Sequence, residues 1–387
     1  MTWNRLRKNG LILMCILMFS IFAACGTAPN VTPSSSPAGA TTEETKDAAK
    51  QPTEWDDIVA AAKKEGKIVI AGDPTEAWRK SLVDLFQEDY PEIKVEYTGI
   101  NGRDFYPRVK QERELGKHLW DLRTGGVTSL YAAKKDGFLE PIRPLLRPEI
   151  ADESKWIGGL DGLFMDKENK HMLAYTMYVD PTVFVNRDFV SESELSSSEQ
   201  LLDPKFKGKI VIQNPTGGVS FQALASMGFM YGEQFVRDLL SSQNVVVTDD
   251  NRQQAEWVVR GKYPIAIGLI DTQLIPFQQQ GLGKNITFLK DKVIPVTSGF
   301  GGLSLLKDAP NPNAAKVYIN WLLSKETQIK LTKNVLLNSK RTDVPPVSPN
   351  LAVDPAKIEQ YRQYSREENV EFGQKLLPVI KESLQKK

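Results

Sequence analysis

Glycine and hydroxyl residues cluster in a loop that joins a short apolar run to a helical pattern. The loop spans residues 214–220 and contains Thr216, Gly217, Gly218 and Ser220. Glycines let the backbone approach a ligand, and the helix N-terminus offers unpaired N–H groups and a partial positive charge. Together with two hydroxyl donors, this combination favours a phosphate, carboxylate or sulfate group. An ordinary glycine-rich turn with a helix cap is the structural alternative for any single loop of this kind.

Other loops follow predicted strands in the same way. Ligands of open α/β sheets bind beyond the carboxyl ends of the strands, so these loops are where a site is expected. The candidate ligand-binding residues there are Asp73, Thr75, Gly125, Gly126, Thr128, Asp250, Asn251 and Asp271. The three aspartates in this set could also hold a metal or another cation, and the acidic loops would suit an amine, so a zwitterionic solute or a polyamine stays open.

Charged residues near these loops have two interpretations. Arg103 follows the second predicted strand and could pair with an anion, although an exposed arginine in a polar loop is the commoner case. Asp121, Arg123 and the Arg341-Thr342-Asp343 segment are interpreted as structural charge pairs rather than ligand contacts.

Sequence motifs of the common hydrolases and nucleotide-binding proteins are missing. No Gly-x-Ser-x-Gly, His-Glu-x-x-His or Walker A pattern occurs, and the two histidines, His118 and His171, lie outside the candidate loops. The sequence therefore predicts a protein that is not an enzyme and carries no cofactor. A secreted hydrolase with a pair of catalytic carboxylates stays open, because chain spacing does not reveal a separation of ~5 to 9.5 Å in space.

Strands and helices alternate along the chain, which predicts an α/β fold. A helical stripe at Trp55, Ile58, Val59 and Ala62 is followed by a stop at Gly66. Further strands are predicted over residues 67–71, 93–97, 174–185, 209–213, 244–248, 263–270 and 300–306. Helices are predicted around Trp78 to Phe86, over 221–230, 233–240 and 253–260, and after Asn311-Pro312, where Asn311 would be the cap. The β-α-β order indicates a parallel sheet covered by helices.

Composition sets limits on size and partners. The 387 residues are 25% charged and 41% hydrophobic, with a formal net charge of +1. A chain of this length should divide into two lobes, because single cores stop growing beyond ~250 to 300 residues. A nucleic-acid partner is not expected, since the charge balance is almost even.

The N-terminus is typical of an exported lipoprotein. Arg5, Arg7 and Lys8 precede an apolar run over residues 11–22 that is shorter than the ~20 residues of a membrane-spanning helix. The run ends in Ala23-Ala24-Cys25, which resembles the lipobox of bacterial lipoproteins; a plain secretory signal is the alternative. Residues 1–24 are thus predicted to be a signal peptide, Cys25 the lipidated first residue, and residues 25–53 a flexible tether. Loss of three positive charges leaves the mature chain at −2.

Several segments together resemble the extracellular solute-binding proteins of bacterial ABC importers, in the branch that includes the ferric-ion-binding proteins. They cover residues 55–70, 86–97, 174–186, 214–220, 258–268 and 299–328. The resemblance implies a type 2 periplasmic-binding fold, with two α/β lobes, crossing strands and a ligand cleft between the lobes. By this analogy, lobe 1 comprises residues 54–178 and 297–345. Lobe 2 comprises residues 179–296, with the C-terminal helices of 346–387 packed on it.

The resemblance also bears on the ligand. Relatives hold an anion at the segment that matches Thr216, Gly217, Gly218 and Ser220, and Tyr178 on the crossing strand could line the cleft or pack at the hinge. Ferric sites of the branch use an adjacent tyrosine pair, but this chain has Ile270-Asp271-Thr272-Gln273 there. Since two phenolates are the hard donors that suit Fe(III), iron becomes the alternative ligand.

The expected function is capture of a small anionic or zwitterionic solute by closure of two lobes, and its delivery to a permease in the cytoplasmic membrane. The protein would be monomeric and tethered to the outer face of that membrane, on a cell surface or in a periplasm. A sensory lipoprotein with the same fold but no role in transport is a further alternative.

Overall fold

The computed structural model describes residues 53–385. The predicted signal peptide, Cys25 and nearly all of the predicted tether lie outside the described residues. Strands are β1 (Lys67–Gly72), β2 (Lys94–Gly99), β3 (Leu122–Gly125), β4 (Leu139–Glu140), β5 (Met172–Ala174), β6 (Tyr178–Val179), β7 (Val183–Asn186), β8 (Ile210–Gln213), β9 (Val246–Thr248), β10 (Ile265–Ile267), β11 (Ile286–Phe288), β12 (Ile294–Thr297), β13 (Gly302–Leu306) and β14 (Tyr361–Gln363).

Helices alternate with these strands. They are α1 (Glu54–Glu65), α2 (Glu76–Asp89), α3 (Gly102–Glu114), α4 (Tyr131–Lys135), α5 (Pro148–Ala151), α6 (Gly159–Leu163), α7 (Gly218–Tyr231), α8 (Glu233–Ser242), α9 (Asn251–Val259), α10 (Ile275–Gln279), α11 (Pro312–Leu322), α12 (Lys325–Val335) and α13 (Glu367–Gln385).

Local sequence signals explain how the first elements begin and end. Thr53 caps α1 in a capping box with Asp56, which satisfies amide groups that the first helical turn leaves unpaired. Gly66 ends α1 with φ of 70°, a left-handed conformation that glycine adopts without a Cβ clash. The chain then enters β1, whose side chains are mostly buried.

The first lobe is built on a sheet in the order β2-β1-β3-β13-β4, with β5 also paired to β13. Strands β1, β2 and β3 are parallel, whereas β13 runs antiparallel to β3. Helices α1, α2, α11 and α12 contribute side chains to the core on one face of the sheet, and α3 and α4 to the core on the other. Phe86, Tyr318 and Trp321 form an aromatic cluster with ring centroids 4.7 to 5.1 Å apart, within the range of favourable ring contacts.

The second lobe has its own sheet, in the order β11-β7-β10-β8-β9. Strands β8, β9 and β10 are parallel, and β7 runs antiparallel to β10. One face packs against α7, α8 and α13, and the other against α9. Each lobe therefore has its own sheet with a buried apolar cluster on both faces.

A small three-stranded sheet, β14-β12-β6, lies on the connections between the two lobes, and we call it the hinge sheet. The chain passes from β5 in lobe 1 through β6 to β7 in lobe 2, and returns from β11 through β12 to β13. A later segment passes through β14 before α13 packs on lobe 2. The lobe boundaries given above stay a prediction.

Three local details differ from the sequence-based expectations. The strand expected over 174–185 is broken into β5, β6 and β7, because this segment crosses between sheets. The strand expected over 263–270 ends at Ile267, where Gly268 takes φ of 64°. Asn311 does not cap α11 with its side chain; instead, its Nδ2 donates to Asp121 Oδ2 at 2.8 Å.

Candidate functional site

A cavity of about 510 Å³ lies at the carboxyl end of the lobe 1 sheet. Among the residues predicted from the sequence, Asp73, Gly126 and Thr128 line it. Arg103, Arg123, Tyr106 and Phe300 are also part of its lining. The cavity thus lies where ligands of open α/β sheets bind, beyond the strand ends.

Arg123 is the most unusual residue of this lining. It projects from β3 and is 2% exposed, yet its Nε and Nη1 have no hydrogen-bond partner among the described residues. No carboxylate that the structure describes forms an ion pair with it. Burial lowers the pKa of Arg123 to about 10, although the nearby Tyr97 and Asp73 oppose that shift. The guanidinium therefore stays charged at neutral pH while lacking the partners that a buried cation needs.

Arg123 packs against α3 and against the end of its own strand. Its guanidinium carbon lies 5.1 Å from the ring centroid of Phe105 on α3, a cation–π contact. Gly125 has φ of 126°, and a Cβ at this position would lie 3.1 Å from Arg123 Nη2. A side chain at Gly125 would therefore crowd the guanidinium.

Asp73 and Thr75 form a compact turn after β1. The Thr75 N–H and hydroxyl donate to Asp73 Oδ1 at 3.0 and 2.7 Å. The Tyr97 hydroxyl donates to the Asp73 carbonyl at 2.7 Å, so the aromatic ring holds this turn against β2. One carboxylate oxygen of Asp73 is thus committed to the turn, and Thr75 stabilises Asp73 in this structure.

Tyr178 lies in the hinge sheet and is not part of the cavity lining. It pairs with Thr297 across β6 and β12, and a Cβ on Gly299 would lie 3.0 Å from its hydroxyl oxygen. Gly299 precedes Phe300, an exposed aromatic side chain that lines the cavity. Tyr178 therefore packs next to a segment that borders the cavity.

The glycine-rich loop of lobe 2 leads from β8 into α7. Gly217 and Gly218 are exposed, and a Cβ at either position would meet no atom within 4 Å. Thr216 donates its hydroxyl to Asn214 Oδ1 at 2.9 Å, and the buried Ser220 hydroxyl points to the Ile267 carbonyl at 3.5 Å. The N-terminus of α7 thus faces open space without a side-chain cap, which leaves its first amide groups available to an anion.

Three further predicted residues follow strands β9 and β10 of the lobe 2 sheet. Asp250 caps α9 by accepting from the Arg252 and Gln253 amides at 2.8 and 3.0 Å. Asn251 Oδ1 is buried with no hydrogen-bond partner among the described residues. Asp271 begins a short 3-10 helix, and its side chain is outside the described part of the structure.

The predicted residues accordingly form two groups. In lobe 1, Asp73, Gly126 and Thr128 line the cavity, whereas Thr75 and Gly125 are outside its lining. The residues of the 214–220 and 249–251 loops lie at the lobe 2 sheet edge. The side chains of Asp73 and Asp250 belong to different lobes and each stabilises its own turn. These two carboxylates do not form a metal cluster in this structure.

Arg123 is the functional candidate that the sequence analysis assigned to another role. Its expected partner Asp121 accepts hydrogen bonds from the Val69 amide and from Asn311 instead. Arg341 does pair with Asp343, at 2.9 Å, as expected. The position of Arg123 two residues before a glycine pair at a strand end was the available signal, because that end of a parallel strand faces the ligand.

Asp166, Glu168 and His171 form a carboxylate and imidazole cluster elsewhere in lobe 1. Asp166 accepts three backbone amides, from Lys170, His171 and Met172, and Glu168 pairs with Lys134. This cluster therefore stabilises a turn. His118 contacts Arg113 and lies near Asp308, consistent with a surface role.

The family model of bacterial extracellular solute-binding proteins matches residues 71–329, a span that contains both sheet-edge groups. The chain belongs to this family. Its members are binding components of ABC importers, so this protein is an extracellular solute-binding component of such a transporter. No helix within residues 53–385 has the length and apolar character needed to cross a membrane.

Similar solved structures share the fold. The Trichodesmium protein IdiA (FutA), solved with iron and citrate ligands, has a TM-score of 0.63 and 17% identity, covering 82% of this chain and 99% of its own. AfuA from Actinobacillus pleuropneumoniae, with fructose-6-phosphate bound, has a TM-score of 0.54 and 21% identity, covering 83% and 98%. These likenesses confirm the α/β fold with two lobes.

A relative of similar sequence is named for iron uptake. Iron uptake protein A1 from Synechocystis is 22% identical over 270 residues, which is 65% of this chain and 70% of that protein. The similar proteins therefore bind different solutes, and the ligand must be argued from the residues of this chain.

Proposed function

We propose that this solute-binding protein captures a small anionic or zwitterionic solute of the phosphate-ester, phosphonate or carboxylate class. The observation that supports this most strongly is Arg123, a buried guanidinium without a hydrogen-bonded or ionic partner at Nε and Nη1, in the lining of a solute-sized cavity. A charged oxyanion would accept these donors and offset the cost of burying the cation. Arg103 adds a second, exposed positive charge to the same lining.

The lobe 2 loop supplies a second anion-binding feature. The uncapped N-terminus of α7 at Gly217 and Gly218 can donate backbone amides to an oxyanion. We propose that the solute binds between Arg123 and this helix end and so bridges the lobes. A solute that contacts both lobes stabilises the closed state over the open one, which is the physical basis of hinge closure.

The family supports delivery to a permease, and the N-terminal sequence supports a lipid anchor. In this proposal the closed, loaded form is recognised by a permease, and the protein carries out no chemistry on its solute. Cys25 holds the mature chain at the membrane through a lipid, and the folded part acts as a monomer.

Two arginines in the cavity lining argue against bare ferric ion as the solute, because like charges disfavour its binding there. An anionic ferric chelate would satisfy the same guanidinium. Ferric citrate is therefore included in the test as an outcome that would change the ligand class.

The test uses protein purified from its native membrane. Native mass spectrometry identifies any solute that co-purifies, and thermal unfolding is then measured with glucose 6-phosphate, methylphosphonate, citrate, ferric citrate, spermidine and maltose. A phosphate ester, phosphonate or carboxylate should raise the melting temperature by mass action. Stabilisation by ferric citrate but not by citrate would instead support the iron-chelate function, and stabilisation by maltose or spermidine alone would contradict the anionic class.

A further inference from the structure

A second cavity, of about 390 Å³, lies where the hinge sheet meets lobe 1. It is separate from the ligand cavity described above and shares none of its lining residues. Its walls come from the 157–165 segment, from the segment around Lys340, and from β12, β14 and Arg366. Relative movement of the lobes would change its shape, because β12 and β14 belong to the sheet that joins them.

Lys340 is a buried cation in this cavity lining. It is 1% exposed, and its Nζ donates to the Gly162 carbonyl at 2.7 Å. No carboxylate that the structure describes pairs with it, so the ammonium group has further donors without an acceptor. Burial lowers the pKa of Lys340 to about 7, and the nearby positive charge of Arg366 acts in the same direction.

Gln363 is a second buried polar side chain of this lining, and it lacks hydrogen-bond partners. It is 8% exposed, and both its Oε1 and Nε2 are buried with no hydrogen-bond partner in the described part of the chain. Alternation along β14 places Gln363 on the same face as Tyr361, and both residues line the cavity. Buried amides are normally paired, so an unpaired amide in the same cavity lining as an ammonium with a single carbonyl acceptor indicates a missing ligand.

The other lining residues indicate the polarity of that ligand. Ile157, Met177 and Val296 are buried apolar residues of the lining. The acidic lining residues, Asp161 and Glu359, are exposed, and Asp161 is paired with Arg143. The lining thus combines the buried cation Lys340 and the amide of Gln363 with apolar side chains. Arg366 is a second cation of this lining, half-buried and paired with Glu368 at 2.9 Å.

We propose that this hinge cavity binds a small carboxylate with a short apolar body. The carboxylate would accept from Lys340 Nζ and Gln363 Nε2, and the apolar part would pack on Ile157, Met177 and Val296. A ligand in this position connects a lobe 1 residue with a strand of the hinge sheet, and its binding is coupled to the hinge conformation.

Benzoate is the probe, and benzyl alcohol is its uncharged control. Binding is measured by calorimetry, and amide and side-chain NMR resonances locate the probe. The wild-type protein is compared with Lys340→Met, with Gln363→Leu, and with Lys333→Met, an exposed lysine on α12 that serves as the matched control. Arg123→Met removes the arginine of the first cavity, so the two binding sites can be distinguished.

The expected result is benzoate binding with resonance changes at Gly162 and Gln363. Lys340→Met should weaken it about 10-fold or more, because a charged hydrogen bond is lost. Lys333→Met and Arg123→Met should leave the benzoate-induced resonance changes at Gly162 and Gln363 unchanged, and benzyl alcohol should bind the hinge cavity about 10-fold more weakly. Absence of binding, or equal binding by wild type, Lys340→Met and Gln363→Leu, would overturn the proposal. Loss of binding in Arg123→Met alone would assign benzoate to the first cavity and likewise overturn it.

Discussion

Gly125 lies against the guanidinium of Arg123, so close that a Cβ at Gly125 would be 3.1 Å from Arg123 Nη2. The two residues belong to the same strand end, and the glycine leaves room for a buried, charged side chain that has no partner at Nε or Nη1. The position of the buried charge in the candidate site therefore depends on a glycine at the end of β3.

Replacement of Arg123 by methionine should have opposite effects on the free and the loaded protein. The free protein should become more stable by on the order of 1 kcal/mol, because an unpaired buried cation is removed. The affinity for an anionic solute should fall about 10-fold or more, because charged hydrogen bonds are lost, and the solute should therefore stabilise the variant less. Chemical unfolding with and without solute measures both effects. Arg79→Met, at an exposed position on α2, is the control and should change neither; a destabilised free protein with intact affinity would contradict the role given to Arg123.

Gly125 and Gly126 form a matched pair for substitution by alanine. Gly125→Ala should destabilise the protein by about 1 to 3 kcal/mol, because φ of 126° is strained for a side chain and the Cβ crowds Arg123. Gly126 has φ of −60°, and the nearest atom to a Cβ there is 3.9 Å away, so Gly126→Ala should fold normally. Thermal unfolding of the two variants measures the difference. Equal stability of both variants would show that Arg123 has a different conformation from the one described.

Substitution at the lobe 2 loop separates binding from folding. Gly217 has an extended backbone with φ of −172° and open space around it, so Gly217→Val should leave the unfolding free energy unchanged. Its side chain would obstruct the N-terminus of α7, and affinity for an anionic solute should fall about 10-fold, the loss of about one hydrogen bond to a charged group. Gly218→Ala, with φ of 64°, should instead cost about 1 kcal/mol of stability. Calorimetric titration of Gly217→Val with unchanged affinity would remove this loop from the binding site.

Lys340 predicts a pH dependence of folding stability. Its pKa is about 7 in the folded protein and 10.5 in the unfolded chain. Between these values the unfolded chain holds a proton that the folded protein has released, so stability rises with pH, and the penalty of the buried charge is greatest below pH 7. From pH 6 to pH 9 this group should add about 3 kcal/mol to the free energy of unfolding. Urea unfolding of wild type and Lys340→Met at both pH values isolates the effect, and an identical pH dependence in the two proteins would contradict it.

Local signals were sufficient for much of the fold. The capping residue Thr53, the stop at Gly66 and the apolar stripe of α1 follow from short-range sequence patterns, and the structure has each of them. The break of the 174–185 segment into three strands was missed, although Asp180-Pro181 is a turn signal between β6 and β7. The separation of β5 from β6 carries no such signal, because it depends on which sheet each part pairs with. Pairing partners far apart in the chain, such as β6 and β12, carry no local signal.

The candidate site was predictable in position and only partly in chemistry. Strand ends followed by glycine and hydroxyl residues correctly located the Asp73 turn, the Gly126 segment and the α7 N-terminus at sheet edges. The position of Arg123 two residues before Gly125-Gly126 was a signal for the site, but its lack of a carboxylate partner was not predictable, because the sequence does not show which charged side chains meet in the fold. Asp121 forms its hydrogen bonds with Val69 and Asn311, and Asn311 is distant in the chain.

A crystal structure of the protein with its co-purified solute would test the central claim most directly. The account predicts that an oxyanion of the solute lies within hydrogen-bond distance of the Arg123 guanidinium, and that the same solute contacts the amides at Gly217 and Gly218. A solute held away from Arg123, or a metal ion held by protein oxygen ligands alone, would contradict it.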